Sequence, residues 1–152
     1  MALTKINNNT LSDITKFKVL QVVTATEGTA RTTTSTSFVT ASNTLTVNIT
    51  PSSTSSKILL LGSFVMHINV VGSSGVGTIY RDATNLGHTN YGLGYIYNSA
   101  GIPVSVVSPT YLDSPNTTSE ITYQTYIRAT GGTVIISPNA STSTLTAVEI
   151  GA

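Results

Sequence analysis

The acids come first, because they are the groups with which a hydrolase would work. They are Asp13, Glu27, Asp82, Asp113, Glu120 and Glu149. A glycosidase needs two carboxyls roughly 5–10 Å apart on either side of a sugar cleft. Such a pair could form across a subunit interface, but nothing in the sequence points to one. Asp82 follows Arg81 and reads as a strand-end ion pair or a turn residue. Asp113, inside Leu112-Asp113-Ser114-Pro115, reads as a turn former. No catalytic residue is expected, and the chain reads as a non-enzyme.

The other chemical candidates are few. His67 lies mid-strand; on a three-fold axis three copies of one imidazole could hold a metal. The plainer expectation is a hydrogen-bonded interface histidine, and His88 reads as a loop residue. There is no cysteine, so disulfides and Cys-based zinc sites are excluded. Gly72-Ser73-Ser74-Gly75-Val76-Gly77 resembles a phosphate loop only in its glycines. A P-loop needs Gly-Lys-Ser/Thr opening a helix, and here the following stretch is β-like. A long hairpin loop is expected instead. No metal and no cofactor is expected. Tyr91, Tyr95 and Tyr97 cluster around Gly92 and Gly94. Exposed, they would suit recognition; otherwise they fill an end of the fold or a subunit interface, which is the reading favoured here. Asn-x-Ser/Thr matches at Asn8, Asn48, Asn116 and Asn139 are what chance gives in such a chain.

That chance is high because Thr and Ser number 28 and 19 of 152 residues. Seven basic residues, Lys5, Lys16, Lys18, Arg31, Lys57, Arg81 and Arg128, are scattered against six acids, for a net charge of +1. There is no basic stripe for nucleic acid. Thr- and Val/Ile-rich sequence with little charge is the material of β-sheet surfaces. Low net charge also suits a protein held in a permanent assembly. The length fits one domain, which buries ~70% of the unfolded surface. The opening Met-Ala-Leu-Thr-Lys-Ile lacks the apolar core of a signal peptide. Ile58 to Leu61 is far too short to cross a membrane. Neither nucleic-acid binding nor membrane insertion is expected.

The elements follow from period-2 alternation. Thr44 to Ile49 is a half-buried strand, and Pro51 to Ser56 breaks it. Ile58 to Val71 is apolar on both faces. Ile58, Leu60, Phe64, Met66, Ile68 and Val70 share one face, and Leu59, Leu61, Val65 and Val71 the other. A sandwich covers one such face, and a neighbouring subunit is the natural cover for the second. Further strands are expected at Phe17–Thr26, Ser37–Val39, Thr78–Asp82, Val104–Ser108, Glu120–Ala129, Thr133–Ser137 and Thr144–Ile150. Gly131-Gly132 reads as a hairpin turn. Residues 27–35, 109–119 and 138–143 read as loops. About nine or ten short strands with no helix indicate an antiparallel β-sandwich or jelly roll over residues 17–152. Residues 1–16 read either as a short extended N-terminal arm that anchors the domain to another protein of an assembly or as a disordered tail.

Three stretches carry a resemblance. They are TVNITPSSTSSKILLLGSF (46–64), TYLDSPNTTSEITYQTYIRATGGTVII (110–136) and STLTAVEIGA (143–152). In sequence and order they resemble structural, tail-fibre-like proteins of tailed bacteriophages, over roughly Phe17 to Ala152. The resemblance implies a jelly roll of the tumour-necrosis-factor/C1q type, forming a homotrimer. It further implies a virion location after synthesis in a bacterial cytoplasm. The opening MALTKI is similar to the starts of phage fibre proteins. The chain has no collagen-like or coiled-coil shaft, so the expected role is a short fibre or knob. Residues 1–16 would grip another virion protein, of the tail, the portal region or the capsid. Loops at the far end would contact a host-surface glycan or protein. The alternative is a capsid decoration protein that stabilises the head.

Overall fold

The computed structural model describes residues 18–101 and 103–151, so the expected arm lies outside the described residues. The strands are β1 (Val19–Glu27), β2 (Arg31–Thr33), β3 (Val39–Thr40), β4 (Thr46–Ile49), β5 (Lys57–Ile68), β6 (Ser74–Arg81) and β7 (Thr84–Asn85). They continue as β8 (Gly94–Tyr97), β9 (Val104–Val107), β10 (Thr110–Asp113), β11 (Ile121–Ala129), β12 (Val134–Ile136) and β13 (Ser143–Ile150). The only helical element among the described residues is a 3-10 turn at Pro138–Ala140.

Two antiparallel sheets result. One has the order β1-β13-β5-β12-β2, with β9 and β10 on the other edge of β5. The second has β3 and β4 on one side of β11, then β6, then β7 and β8. Several strands are halves of one run. β10 and β9 pair successive parts of β5, and so do β13 and β12. Merging β1 with β2, β3 with β4, β7 with β8, β9 with β10 and β12 with β13 leaves eight runs. In chain order their arrangement is 1-8-3-6 in one sheet and 2-7-4-5 in the other. This is the eight-stranded jelly roll.

In that topology only the fourth and fifth runs are neighbours in sequence and in a sheet. This corrects the expected hairpin at Gly131-Gly132: β11 belongs to the second sheet and β12 to the first, so the two glycines carry the chain across the sandwich. The turn between β4 and β5 crosses likewise. A turn sequence reports that the chain reverses. It does not report whether the reversal stays in one sheet.

The core lies between the sheets. Ile58, Leu60, Phe64, Met66 and Ile68 of β5 are fully buried, each side chain contributing roughly 1.5–3 kcal/mol. They meet Ile79 of β6 and Tyr123 and Ile127 of β11. Val70 and Val71, expected on the same strand, instead lie past its end in a turn closed by Ser73 N–H to Val70 O at 3.2 Å.

The Gly-rich segment is the clearest correction. Gly75, Val76 and Gly77 belong to β6, pairing Ala129, Arg128 and Ile127 of β11. A Cβ on Gly75 would stand 2.6 Å from Val134 Cγ2, and one on Gly77 would stand 3.3 Å from the Phe64 ring. The glycines make room for large side chains of the opposite sheet. Gly75→Val is therefore expected to cost about 1–3 kcal/mol in urea unfolding. Gly28→Ala, with nothing within 4 Å of the new Cβ, should stay within about 0.5 kcal/mol of the parent. Equal midpoints for the two variants would refute this packing role.

Two expected loops contain strands. β2 falls in residues 27–35 and pairs β12; β10 falls in residues 109–119 and pairs β5. Runs of three or four residues are too short to display a period, and their partners supply the ordering hydrogen bonds.

Candidate functional site

Three buried carboxylates dominate the electrostatics, and each is engaged by its own chain. Glu27 closes β1 and is 4% exposed. It accepts hydrogen bonds from the Ser42 hydroxyl, from Thr44 Oγ1 at 2.7 Å and from Thr29 N–H at 2.8 Å. Arg31 Nε lies 3.4 Å away. Glu149 of β13 is fully buried. It takes Gln21 Nε2 at 2.6 Å, and the Ser52 N–H and hydroxyl at 2.7 Å each. Asp113 accepts both Arg81 Nη1 contacts, at 2.9 and 3.0 Å, and the Tyr123 hydroxyl at 2.6 Å.

These bonds set the proton affinities. The Ser42 hydroxyl, then Thr44 and the Thr29 amide, hold Glu27 at about 2 against the usual 4.5. Burial pushes Glu149 up, but the donors from Gln21 and Ser52 outweigh it and hold it at about 2. Burial, then the bond to Asp113, raises the Tyr123 phenol. The two depressed carboxyls contribute stability above pH 4.5 that is lost as pH falls toward about 2. The urea midpoint is expected to fall through that window. Glu149→Gln should be about 1–3 kcal/mol less stable at pH 7 and should show a shallower acid slope. A parent protein equally stable at pH 5 and pH 2.5 would contradict it.

Arg81 thus pairs with Asp113 across the sandwich and not with its neighbour Asp82. Asp82 is the turn residue of the two expectations, at φ 50°, accepting the Thr122 N–H. Asp113 corrects the turn-former expectation: it is a buried strand end. A polar cleft of about 280 Å³, lined by Arg31, Thr32, Thr40, Ala41, Ser42 and Asn43, opens beside Glu27. The bonds just described occupy that carboxylate, and no histidine lines the cleft. Among the described residues no group of three metal-ligating side chains occurs. No helix among them is long and apolar enough to cross a membrane. His67 Nε2 is covered by its own chain and has no hydrogen-bond partner among the described residues. A hydrogen bond across an interface, or a metal on an axis, would have to use Nδ1.

The two outer faces differ from each other. On the first sheet, Val22, Val148, Leu59 and Leu112 form one row across four strands. Beside it stand Thr24, Thr146, Leu61 and Thr110. Val65 pairs Val106, and His67 stands between Ile135 and Val104. Val22, Leu61, Leu112, Val104 and Val106 are exposed. This is the second apolar face of β5, spread over the whole sheet by its partners. Sequence reasoning found the β5 part and missed the rest. Val22, Val104, Val106 and Leu112 sit on other strands, and only register aligns them.

The second sheet bears aromatics. Tyr91, Tyr95 and Tyr97 are each more than half exposed, so within one chain they do not fill an end of the sandwich as expected. Tyr91 stacks on His88, with centroids 5.4 Å apart, and lies 5.7 Å from Tyr95. Register places Tyr95, Val76 and Arg128 in one row. Arg128 donates to Thr36 O at 2.9 Å and to Asn90 O, and its guanidinium lies 5.5 Å over the Phe38 ring. Phe38 meets Tyr80 edge-on, and Tyr80 stacks on Tyr126 at 4.0 Å.

No family model matches the chain, and no curated protein matches it. Solved structures do. The VP2 subviral particle of infectious bursal disease virus is similar over 86% of this chain, with a TM-score of 0.51 at 17% identity. Structures of a D431N mutant VP2 in T=1 particles (TM-score 0.46, 13% identity, 86% of this chain and 36% of that one) and of the Gx strain of that virus (TM-score 0.46, 15% identity, 90% and 37%) are further matches. The shared feature is the fold. It is an all-β antiparallel jelly roll, as the sequence led us to expect. The chain spans about a third of the first VP2 chain, 32% of its length.

Proposed function

We propose that this chain is a structural protein of a virus particle, a short fibre or knob that assembles as a homotrimer on the particle surface and contacts the host. The observation that carries the reading is the uncovered apolar outer face of the first sheet. Such a face on a charge-poor protein is stable when a second copy covers it. The resemblance to tailed-phage structural proteins supplies the number three and the bacterial host. The jelly roll shared with a VP2 subviral particle supports a virion role. Residues 1–16 would provide the anchor to another virion protein. Engagement of Glu27, Asp113 and Glu149 in bonds within the fold supports a non-enzymatic role.

The second reading is a decoration protein clamping capsid subunits. It is favoured by the same likeness to a particle-forming protein. Gold-labelled antibody on intact particles separates the two. Label at the tail or on an appendage supports the fibre or knob. Label spread over the head supports decoration and removes host contact. Particles without label overturn both.

A further inference from the structure

We propose that the aromatic surface on the second sheet, centred on His88, Tyr91 and Tyr95 with Tyr97 beside them, is a binding platform for an uncharged oligosaccharide. The inference deepens the host-contact reading and rests on it for its biological meaning, but the binding itself is a property of the isolated protein.

The platform is built rather than incidental. His88 N–H donates to Gly92 O at 2.9 Å, and Gly92 N–H returns to His88 O at 2.8 Å. His88 Nδ1 accepts the N–H groups of Asn90 and Tyr91, at 3.1 and 3.3 Å. The neutral imidazole therefore carries its proton on Nε2. Arg128 of β11 reaches past β6 and fixes Asn90 by its carbonyl. Gly92, at φ +56°, sits so close to β6 that a Cβ would stand 2.4 Å from Gly77 O. Tyr91 thus projects from a loop tied down on both sides and Tyr95 and Tyr97 from strand β8, which limits the ordering cost of binding.

The chemistry selects the ligand class. Tyr91, Tyr95 and Tyr97 are 59%, 52% and 55% exposed. Tyrosine faces are electron-rich, and they receive the polarised C–H face of a pyranose as they receive other positive edges. His88 Nε2–H and the side chains of Asn90 and Thr89, all exposed residues, can serve sugar hydroxyls. A nucleic acid would need cations for its phosphates. Among the described residues the nearby cation is Arg128, which spends Nε, Nη1 and Nη2 on carbonyls. A quaternary ammonium is taken by rings that enclose it, whereas Tyr91, Tyr95 and Tyr97 each stand more than half exposed on an open surface. The platform lies on the second sheet and not on the apolar face of the first.

The test is a glycan array carrying neutral and acidic oligosaccharides, probed with the purified full chain. Saturation-transfer NMR on maltoheptaose, cellopentaose and any array-positive glycan follows. Binding of a neutral glycan is expected, with transfer concentrated on ring C–H protons. Tyr91→Ala and Tyr95→Ala should each weaken it about tenfold or more, the equivalent of about 1.4 kcal/mol. Both rings are more than half exposed, so a circular dichroism melt should show the fold intact. Thr24→Ala, exposed on β1 of the opposite sheet, should bind within about threefold of the parent. No binding to any glycan overturns the proposal. So does binding confined to acidic glycans, capture of a protein by this face, or binding indifferent to both alanine changes. Head-wide label on particles would remove the host-contact reading while leaving a measured glycan affinity standing.

Discussion

Arg81→Met is expected to destabilise the protein by about 3 kcal/mol, toward the lower end of what breaking a buried ion pair costs. Asp113 is 7% exposed and Arg81 28%, so Arg81 retains some solvation, and the larger loss falls on the carboxylate. With the guanidinium gone, Asp113 keeps only the Tyr123 hydroxyl among its described donors. The carboxylate is then a buried charge without its cation. The damage is not local. Asp113 ends β10 of the first sheet, Arg81 ends β6 and Tyr123 lies on β11 of the second. The triad fastens the two sheets at one end of β5. Arg81→Met combined with Asp113→Leu should recover part of the loss, because no charge is then left without a partner, while the Tyr123 hydroxyl loses its acceptor. Tyr123→Phe should cost only about 1–2 kcal/mol. Urea unfolding of these variants measures the coupling directly. A loss below about 1 kcal/mol for Arg81→Met, or a double variant no better than the single, would refute the fastening role.

The second large effect concerns assembly. The parent is expected to scatter light with about three times the 15.8 kDa chain mass, and Leu61→Asp with Leu112→Asp to scatter as a monomer. Both leucines are exposed, at 41% and 55%, so the charges remain solvated in a folded monomer. Placing them in a packed interface would cost several kcal/mol each, enough to shift dissociation by orders of magnitude. Ser99→Asp, on an exposed bend outside the strands, should leave the mass unchanged. A parent that is a stable monomer at micromolar concentration removes the trimer, whatever the variants do.

The two faces of β5 were legible because Leu59, Leu61 and Val65 alternate with Ile58, Leu60 and Phe64 within one strand, and period 2 is a local property. For the same reason the long strands at β1, β11 and β13 were read within a few residues of their bounds. The Gly-rich segment misled because glycine's usual meaning is a turn. Here its meaning is the ring of Phe64 and the methyl of Val134, which belong to other strands. The tyrosine cluster was visible as composition, while its exposure depended on whether neighbouring segments folded over it.

By itself, then, the sequence determined the fold class, the apolar reverse face of the longest strand and the lack of cysteine chemistry, because each depends on residue type and local spacing alone. Tertiary structure decided which turns cross the sandwich and which carboxylate Arg81 meets. It decided also that Val22, Val148, Leu59 and Leu112 stand in one row, and that three tyrosines face solvent. Each of these is a contact between residues far apart in the chain. Pairing register and sheet order fix such contacts, and both are set by the packing of all eight runs together.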